Sequence, residues 1–229
     1  MLQWLRRVKS KRSFRILAMI GVAILSVGLI GSFAIWSIPQ FSSSSQANNQ
    51  TPVDPSVQYE EMENRISELE ASLSENKEDP KVLEKLGNAY YDLGFQMFMD
   101  GADSALALAK LNSALENYEA ALELDPENVP LMLQAASTAA SIGNTEKGEE
   151  LYKQAVELEP DSAEAKMYYG NFLLYAKSDF QGAREQLEKA LELNPEEDIK
   201  SSIDALLEQA DQLEAAQKEA DSEKDKGEE

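Results

Sequence analysis

The sequence predicts an all-α protein in which one N-terminal transmembrane helix precedes a series of helical hairpins and a capping helix. Three observations support this fold class. Residues 16–38 are apolar and carry no charge, three later segments repeat one pattern, and a helical segment of similar type precedes each of the three.

Residues 16–38 have the length and composition of a membrane span. A helix of 23 residues extends over roughly 35 Å, which matches the hydrocarbon core of a bilayer. Six of the 21 basic residues lie within residues 1–15, and none follows until Arg65. The positive-inside rule therefore places residues 1–15 in the cytoplasm and residues 39–229 outside the cell membrane.

The alternative for this segment is a cleaved signal peptide, which also begins with a basic region. The apolar run is longer than the roughly 7–15 residues of a signal core, and no A-x-A-like cleavage site follows it. We therefore favour an uncleaved anchor. Residues 39–57 are rich in Ser, Asn, Gln and Pro, which predicts a flexible linker.

Charge and composition limit the classes of function. After Arg15, 15 basic residues face 42 acidic ones, a net charge of −27 that repels nucleic acid and anionic lipid head groups. The chain has no Cys and no His, which excludes thiol nucleophiles and Cys/His metal sites. No nucleophile or phosphate-loop motif is present. We therefore expect no enzyme activity, no cofactor, no metal and no small-molecule substrate.

Three segments of the sequence repeat one pattern: ALENYEAALELDPEN at 114–128, GEELYKQAVELEPDS at 148–162 and AREQLEKALELNPEE at 183–197. Pro126 and Pro160 are 34 residues apart, and Pro160 and Pro195 are 35 apart. Each unit comprises an amphipathic helix, a tight turn and a second helix that a proline ends. Small residues are expected where the two helices approach closely, and larger ones between successive hairpins: Gly87, Ala136 and Gly170 in the first role, and Tyr118, Tyr152 and Leu187 in the second.

Over about residues 80–196 these repeats resemble the tetratricopeptide-repeat (TPR) family. The resemblance implies a superhelix of stacked hairpins whose concave groove holds a peptide or helix of a partner protein. The predicted boundaries are 79–128, 129–162 and 163–197 for the three repeats, 198–216 for the capping helix and 217–229 for a disordered acidic tail.

The first repeat is longer than the other two. Gly87 and Ala114 are 27 residues apart, whereas the equivalent Ala136 and Gly148 are 12 apart. The inserted residues keep a helical pattern, so we predict a helix to about Met99, a turn at 100–102 and an Asp103 N-cap. The tip of this hairpin carries apolar side chains that either pack together or contact a partner: Phe95, Phe98 and Met99.

A lead-in helix is predicted at residues 58–78, where Met62, Ile66, Leu69 and Leu73 form a helical stripe. The segment YEEMENRISELEASLSENKEDP at 59–80 resembles the lead-in of membrane-anchored TPR proteins of bacterial cytochrome c maturation.

The TPR resemblance also implies which residues line the groove. These are Asn88, Tyr91, Leu133, Ser137, Met167, Asn171 and Leu174. In some TPR domains basic side chains clamp a terminal carboxylate, but Glu84, Leu133 and Met167 replace them here. We therefore expect asparagine side chains to bind a ligand backbone while apolar residues bury its side chains.

The function predicted from these features is a membrane-anchored protein-interaction module. It would act as an extracytoplasmic scaffold or chaperone-like adaptor in a bacterial cell envelope, with the bilayer contacted through residues 16–38. The alternative is a structural subunit that oligomerises through its anchor or its elongated hairpin.

Overall fold

The computed structural model describes residues 55–75 and 78–225, and this part of the chain consists of eight helices and their connections. The predicted all-α fold is confirmed there. The predicted span at 16–38 lies outside the described residues, and no helix among those described is long and apolar enough to cross a membrane. The helices are α1 Pro55–Glu75, α2 Pro80–Met99, α3 Ser104–Leu124, α4 Val129–Ser141, α5 Thr145–Leu158, α6 Ala163–Phe172, α7 Phe180–Glu192 and α8 Glu197–Asp225.

Six of these helices begin at a polar residue whose side chain accepts hydrogen bonds from the first-turn N–H groups. The predicted N-cap Asp103 is confirmed, since its carboxylate accepts from the N–H of Ala105 at 2.9 Å. A cap of this kind is worth about 1 kcal/mol because the first-turn N–H groups have no partner within the helix. The six caps are Asp79, Asp103, Asn128, Asn144, Ser162 and Asp179.

Consecutive helices pair as hairpins, and the hairpins stack in chain order into a TPR-like superhelix. Helices α2 and α3, α4 and α5, and α6 and α7 form the three hairpins, while α1 packs on α2 and α8 packs on α7. One apolar core runs from Leu83 in α2 to Ala210 in α8. A second core fills the projecting end of the first hairpin, between α1, α2 and α3.

The sequence predicted that Tyr118, Tyr152 and Leu187 lie between successive hairpins. Only Tyr152 does so in the structure. Tyr118 and Leu187 cover the glycines of their own hairpins: a Cβ atom on Gly87 would stand 2.5 Å from the Tyr118 ring, and one on Gly170 would stand 2.8 Å from Leu187. Tyr152 does contact the next hairpin, with its ring centroid 5.1 Å from that of Phe172. Each glycine therefore allows its two helices to pack around one large side chain.

Three predicted boundaries differ from the structure. Helix α1 occupies Pro55–Glu75, so residues 55–57 are helical and not linker, and the helix ends before residue 78. Helix α8 continues to Asp225, so 217–225 is helical where we expected a disordered tail. The segment between 217 and 225 contains Ala, Glu, Gln and Lys without Gly or Pro, and these residues favour a helix.

Replacing Gly87 by Ala tests the close approach of α2 and α3. The added Cβ would press on the buried Tyr118 ring, and overpacking of this kind costs about 1–3 kcal/mol, more than alanine gains in helix propensity. We expect urea denaturation to show a lower free energy of unfolding for Gly87→Ala.

Gly148→Ala is the milder comparison, because its Cβ would meet the Ala136 carbonyl oxygen at 3.2 Å, whereas the Cβ at position 87 would stand 2.5 Å from the Tyr118 ring. We expect Gly148→Ala to lose less stability than Gly87→Ala. Equal losses in the two variants would contradict the proposed packing.

Candidate partner-binding groove

The first helices of the three hairpins, α2, α4 and α6 with its π-helical continuation, carry all seven predicted groove residues. The structure leaves Asn88, Tyr91 and Ser137 half-buried, with part of each side chain open to solvent. The Asn88 Oδ1 atom accepts a hydrogen bond of 2.7 Å from the Tyr118 hydroxyl. Asn88 is thus held in one orientation by the second helix of its own hairpin.

Tyr91 and Phe95 form a stacked pair on α2, with ring centroids 6.0 Å apart and ring planes 5° apart. Burial raises the pKa of Tyr91 to about 12, and the neighbouring Asp92 carboxylate adds to the effect. The phenol therefore stays protonated at neutral pH and can donate a hydrogen bond.

Three predicted groove residues lie instead in the core. Leu133, Met167 and Leu174 are 9%, 8% and 1% exposed and belong to the main apolar cluster. A position on a helix face does not distinguish a groove lining from an interhelical contact, because adjacent hairpins cover part of the same face. In this conformation Leu174 is closed to any partner.

Leu174 continues the buried face of α6, since it follows Met167 and Asn171 at a spacing of i, i+4, i+7 and all three are buried. The chain around it is π-helical. Helix α6 continues as five π-helical residues, Leu173–Lys177, and ends at Ser178 in the left-handed conformation with φ 55°. A π turn is wider than an α turn and rotates the following residues relative to a regular helix. The structure buries Leu174 and leaves Tyr175 half-exposed.

Asn171 has unused hydrogen-bonding capacity. The side chain is 8% exposed, and its Nδ2 atom has no hydrogen-bond acceptor among the described residues. An unsatisfied buried donor costs about 1–3 kcal/mol. Because the Nδ2 atom is itself buried, it reaches an acceptor of a partner only when the side chain turns towards the solvent. Asn171 lies one turn after Tyr168 on α6.

The sequence-based assignment missed Tyr168 and Tyr175, both half-buried on the third hairpin. Burial raises the pKa of Tyr168 to about 12, with a contribution from Glu164 one turn away. Glu164, Tyr168 and Asn171 are spaced i, i+4, i+7, which places them on one face of α6 and was visible in the sequence, whereas Tyr175 lies in the π-helical segment that follows. The groove face is therefore richer in phenols and poorer in aliphatic side chains than predicted.

Some features lie away from this face. An open depression of about 520 Å³ separates α1 from α3, and Glu70 at its edge accepts a hydrogen bond of 2.5 Å from Tyr90. No group of His, Cys, Asp or Glu among residues 55–75 and 78–225 is arranged to hold a metal ion. The predicted tip residues Phe98 and Met99 are exposed, whereas Phe95 is half-buried beside Tyr91.

Comparisons with known families identify the repeats. Two tetratricopeptide-repeat models match, one at residues 102–128 and one at residues 133–198. The chain contains tetratricopeptide repeats. A comparison with curated proteins found no match. The resemblance of the lead-in helix to cytochrome c maturation proteins stays a prediction.

Several solved TPR structures are similar to this chain. A TPR protein of Thermus thermophilus, TTC0263, is 22% identical with a TM-score of 0.46, and the match covers 67% of this chain and 95% of that one. MamA of Desulfovibrio magneticus RS-1 is 17% identical with a TM-score of 0.44, covering 73% and 99%. YrrB, described as having an unusual peptide-binding site, is 18% identical with a TM-score of 0.38, covering 65% and 85%.

Tyrosine ionisation should destabilise the fold at high pH. Burial raises the pKa of Tyr90, Tyr91 and Tyr168 from 10.0 to about 12. Between these values the unfolded chain releases the phenolic protons while the folded chain keeps them, so stability falls as pH rises. We expect the urea midpoint to be insensitive to these phenols below pH 10 and to drop steadily towards pH 12.

Tyr91→Phe removes one of these phenols, so the urea midpoint of this variant should fall less steeply between pH 10 and pH 12. Absorbance of the phenolate in the native protein provides an independent check. Native phenols that all titrate near their ordinary value would contradict the burial described above.

Proposed function

We propose that this protein is a membrane-anchored TPR adaptor that holds an extended or helical segment of a protein partner in its groove. The observation that supports the proposal is the Asn171 amide. It lies on the same helix face as Tyr168, and its Nδ2 atom has no acceptor in the described part of the chain. A rotation of this side chain would present two N–H donors to a carbonyl of a ligand backbone.

The charge around the groove indicates what kind of segment fits. Partial desolvation raises the pKa of two carboxyl groups that remain exposed, Asp92 on α2 and Glu164 on α6, and the nearby Arg65 offsets part of the effect at Asp92. A cationic side chain brought near either carboxylate would offset that desolvation, whereas an acidic one would increase the repulsion. We therefore infer a partner segment with apolar residues and at least one Lys or Arg.

Membrane attachment completes the proposal. The uncharged run at 16–38 and the basic residues before it favour a cytoplasmic N-terminus and an extracytoplasmic repeat domain. An anchored receptor meets membrane-bound or newly exported partners at high local concentration, so modest groove affinity suffices. This supports a scaffold or chaperone-like role during assembly in a bacterial envelope.

A photo-reactive residue at Tyr168, in the full-length protein in its host, tests the groove. We expect one dominant protein adduct, since Tyr168 lies beside Asn171. Asn171→Leu should reduce that adduct about tenfold, because a lost hydrogen bond of roughly 1.4 kcal/mol changes affinity by that factor. The same variant should unfold no earlier than the wild type, since it replaces an unsatisfied buried amide with an apolar side chain.

Two controls make this experiment decisive. A photo-reactive residue at Glu188, exposed on α7, should not give the same adduct. Asn112→Leu, at an exposed position on α3, should leave the Tyr168 adduct unchanged. If Asn171→Leu folds normally and the adduct keeps its yield, Asn171 does not bind the partner.

Membrane topology is testable separately, because the chain contains no native Cys. We expect a membrane-impermeant maleimide to label Glu188→Cys in intact cells and to label Ser10→Cys only after permeabilisation. The reverse pattern would place the repeats in the cytoplasm and would contradict the proposed location.

A further inference from the structure

Exposed apolar side chains are concentrated at the tip of the first hairpin. Of the seven large apolar residues that are strongly exposed in the described part of the chain, four lie there. We call these four residues and the 100–103 turn between them the hairpin tip. The four are Phe98 at 38%, Met99 at 54%, Leu106 at 45% and Leu108 at 44%.

The tip is exposed because the first hairpin is longer than its neighbour. Helix α2 has 20 residues and α4 has 13, so the first hairpin extends roughly 10 Å further at 1.5 Å per residue. Helix α1 covers one side of this extension, where Ile66, Met97 and Ala107 form the second core. Among the described helices none covers the exposed residues of the tip.

The tip lies at the end of the domain where the chain enters it. The Tyr59 hydroxyl, near the start of α1, donates a hydrogen bond of 2.8 Å to Asp100 Oδ2 in the tip. Helix α1 begins at Pro55, and the predicted membrane span ends at Ile38. Sixteen residues, 39–54, separate them in the sequence.

We propose that the hairpin tip docks on the surface of the lipid bilayer in which the protein is anchored. The inference rests on the membrane anchorage proposed above. Sixteen residues between the predicted span and α1 limit how far the start of α1 can lie from the bilayer, and the Tyr59 hydrogen bond joins the start of α1 to the tip. The exposed Phe, Met and Leu side chains supply the apolar surface that an interfacial contact requires.

The charges of the tip disfavour an anionic lipid surface and are compatible with a zwitterionic one. Asp100 and Asp103 are the only charged residues between Leu93 and Ala109, and no Lys or Arg accompanies them. Asp100 accepts from Tyr59 and Gln96, and Asp103 caps α3. Both carboxylates would remain at head-group level, where choline or ethanolamine groups offset them and anionic lipids repel them.

Two leucines on one helix provide a matched pair of probe sites. Leu108 and Leu124 on α3 are both 44% exposed, and sixteen residues of helix place them about 24 Å apart. An environment-sensitive fluorophore would be attached to Leu108→Cys or Leu124→Cys of the full-length protein in phosphatidylcholine vesicles. Nitroxide groups on the lipid acyl chains then quench whichever probe enters the bilayer.

We expect strong quenching and a blue-shifted emission at position 108, and neither change at position 124. Vesicles with a large fraction of phosphatidylglycerol should weaken the effect at 108 at low salt. A probe at Met99→Cys should show the same quenching and blue shift as the one at 108. Agreement between the two sites shows that neither result comes from a folding defect caused by a single label.

Flotation of the vesicles separates failure of this inference from failure of the anchor. Protein that does not float with the vesicles would refute the anchorage itself. Protein that floats while the probes at 99 and 108 stay unquenched would refute the lipid contact alone. A blue shift without lipid quenching would show that the tip contacts a second copy of the chain, and would also overturn the proposal.

Discussion

Each hairpin of this protein depends on the next one to cover its apolar face. Tyr152 shows the constraint most clearly: it is 4% exposed, belongs to the second hairpin, and packs against Tyr169 and Phe172 of the third. A single two-helix unit cannot bury such a ring, so stability comes from the contacts between repeats. The groove follows from the same packing, because hairpins stacked in one order align their first helices along one face.

Much of the fold was predictable because its signals are local. The proline spacing indicated the repeats, and Asp103 marked the start of α3 because a short carboxylate binds first-turn N–H groups. The length of the first hairpin followed from the inserted residues and the turn at Asp100 and Gly101. Gly101 takes a φ of 67°, which glycine adopts without strain.

The composition of the groove was predicted less well, because exposure depends on neighbours that a sequence pattern does not describe. Asn88, Tyr91 and Ser137 remain partly open, whereas Leu133 and Met167 are covered by adjacent helices. Leu174 is covered in the same way, since it lies seven residues after Met167 on the same face of the helix. The π-helical segment Leu173–Lys177 was not predicted. Nothing in the local sequence separates LLYAK from a regular helical ending.

Electrostatics contributes little to the stability of the fold. Most ion pairs are on the surface, such as Lys153 with Glu149 at 2.8 Å, and exposed pairs contribute about 0–1 kcal/mol each. Arg184 on α7 differs from the pairs within one helix, because it forms ion pairs with Asp211 and Glu214 of α8. It helps to hold the last helix against the third hairpin. The remaining acidic surface disfavours nucleic acid and acidic peptides and leaves the amide and phenol groups of the groove as the distinctive chemistry.

One apolar core runs through the three hairpins, so we expect them to unfold as one cooperative unit. Native-state hydrogen exchange of wild type and Tyr152→Ala tests it directly, by measuring the opening free energies of core amides in α3 and α7. We expect amides of both helices to lose protection together, since Tyr152 of the second hairpin packs against the third. Loss of protection in α7 alone, with α3 unchanged, would show that the hairpins open independently and would contradict a single cooperative core.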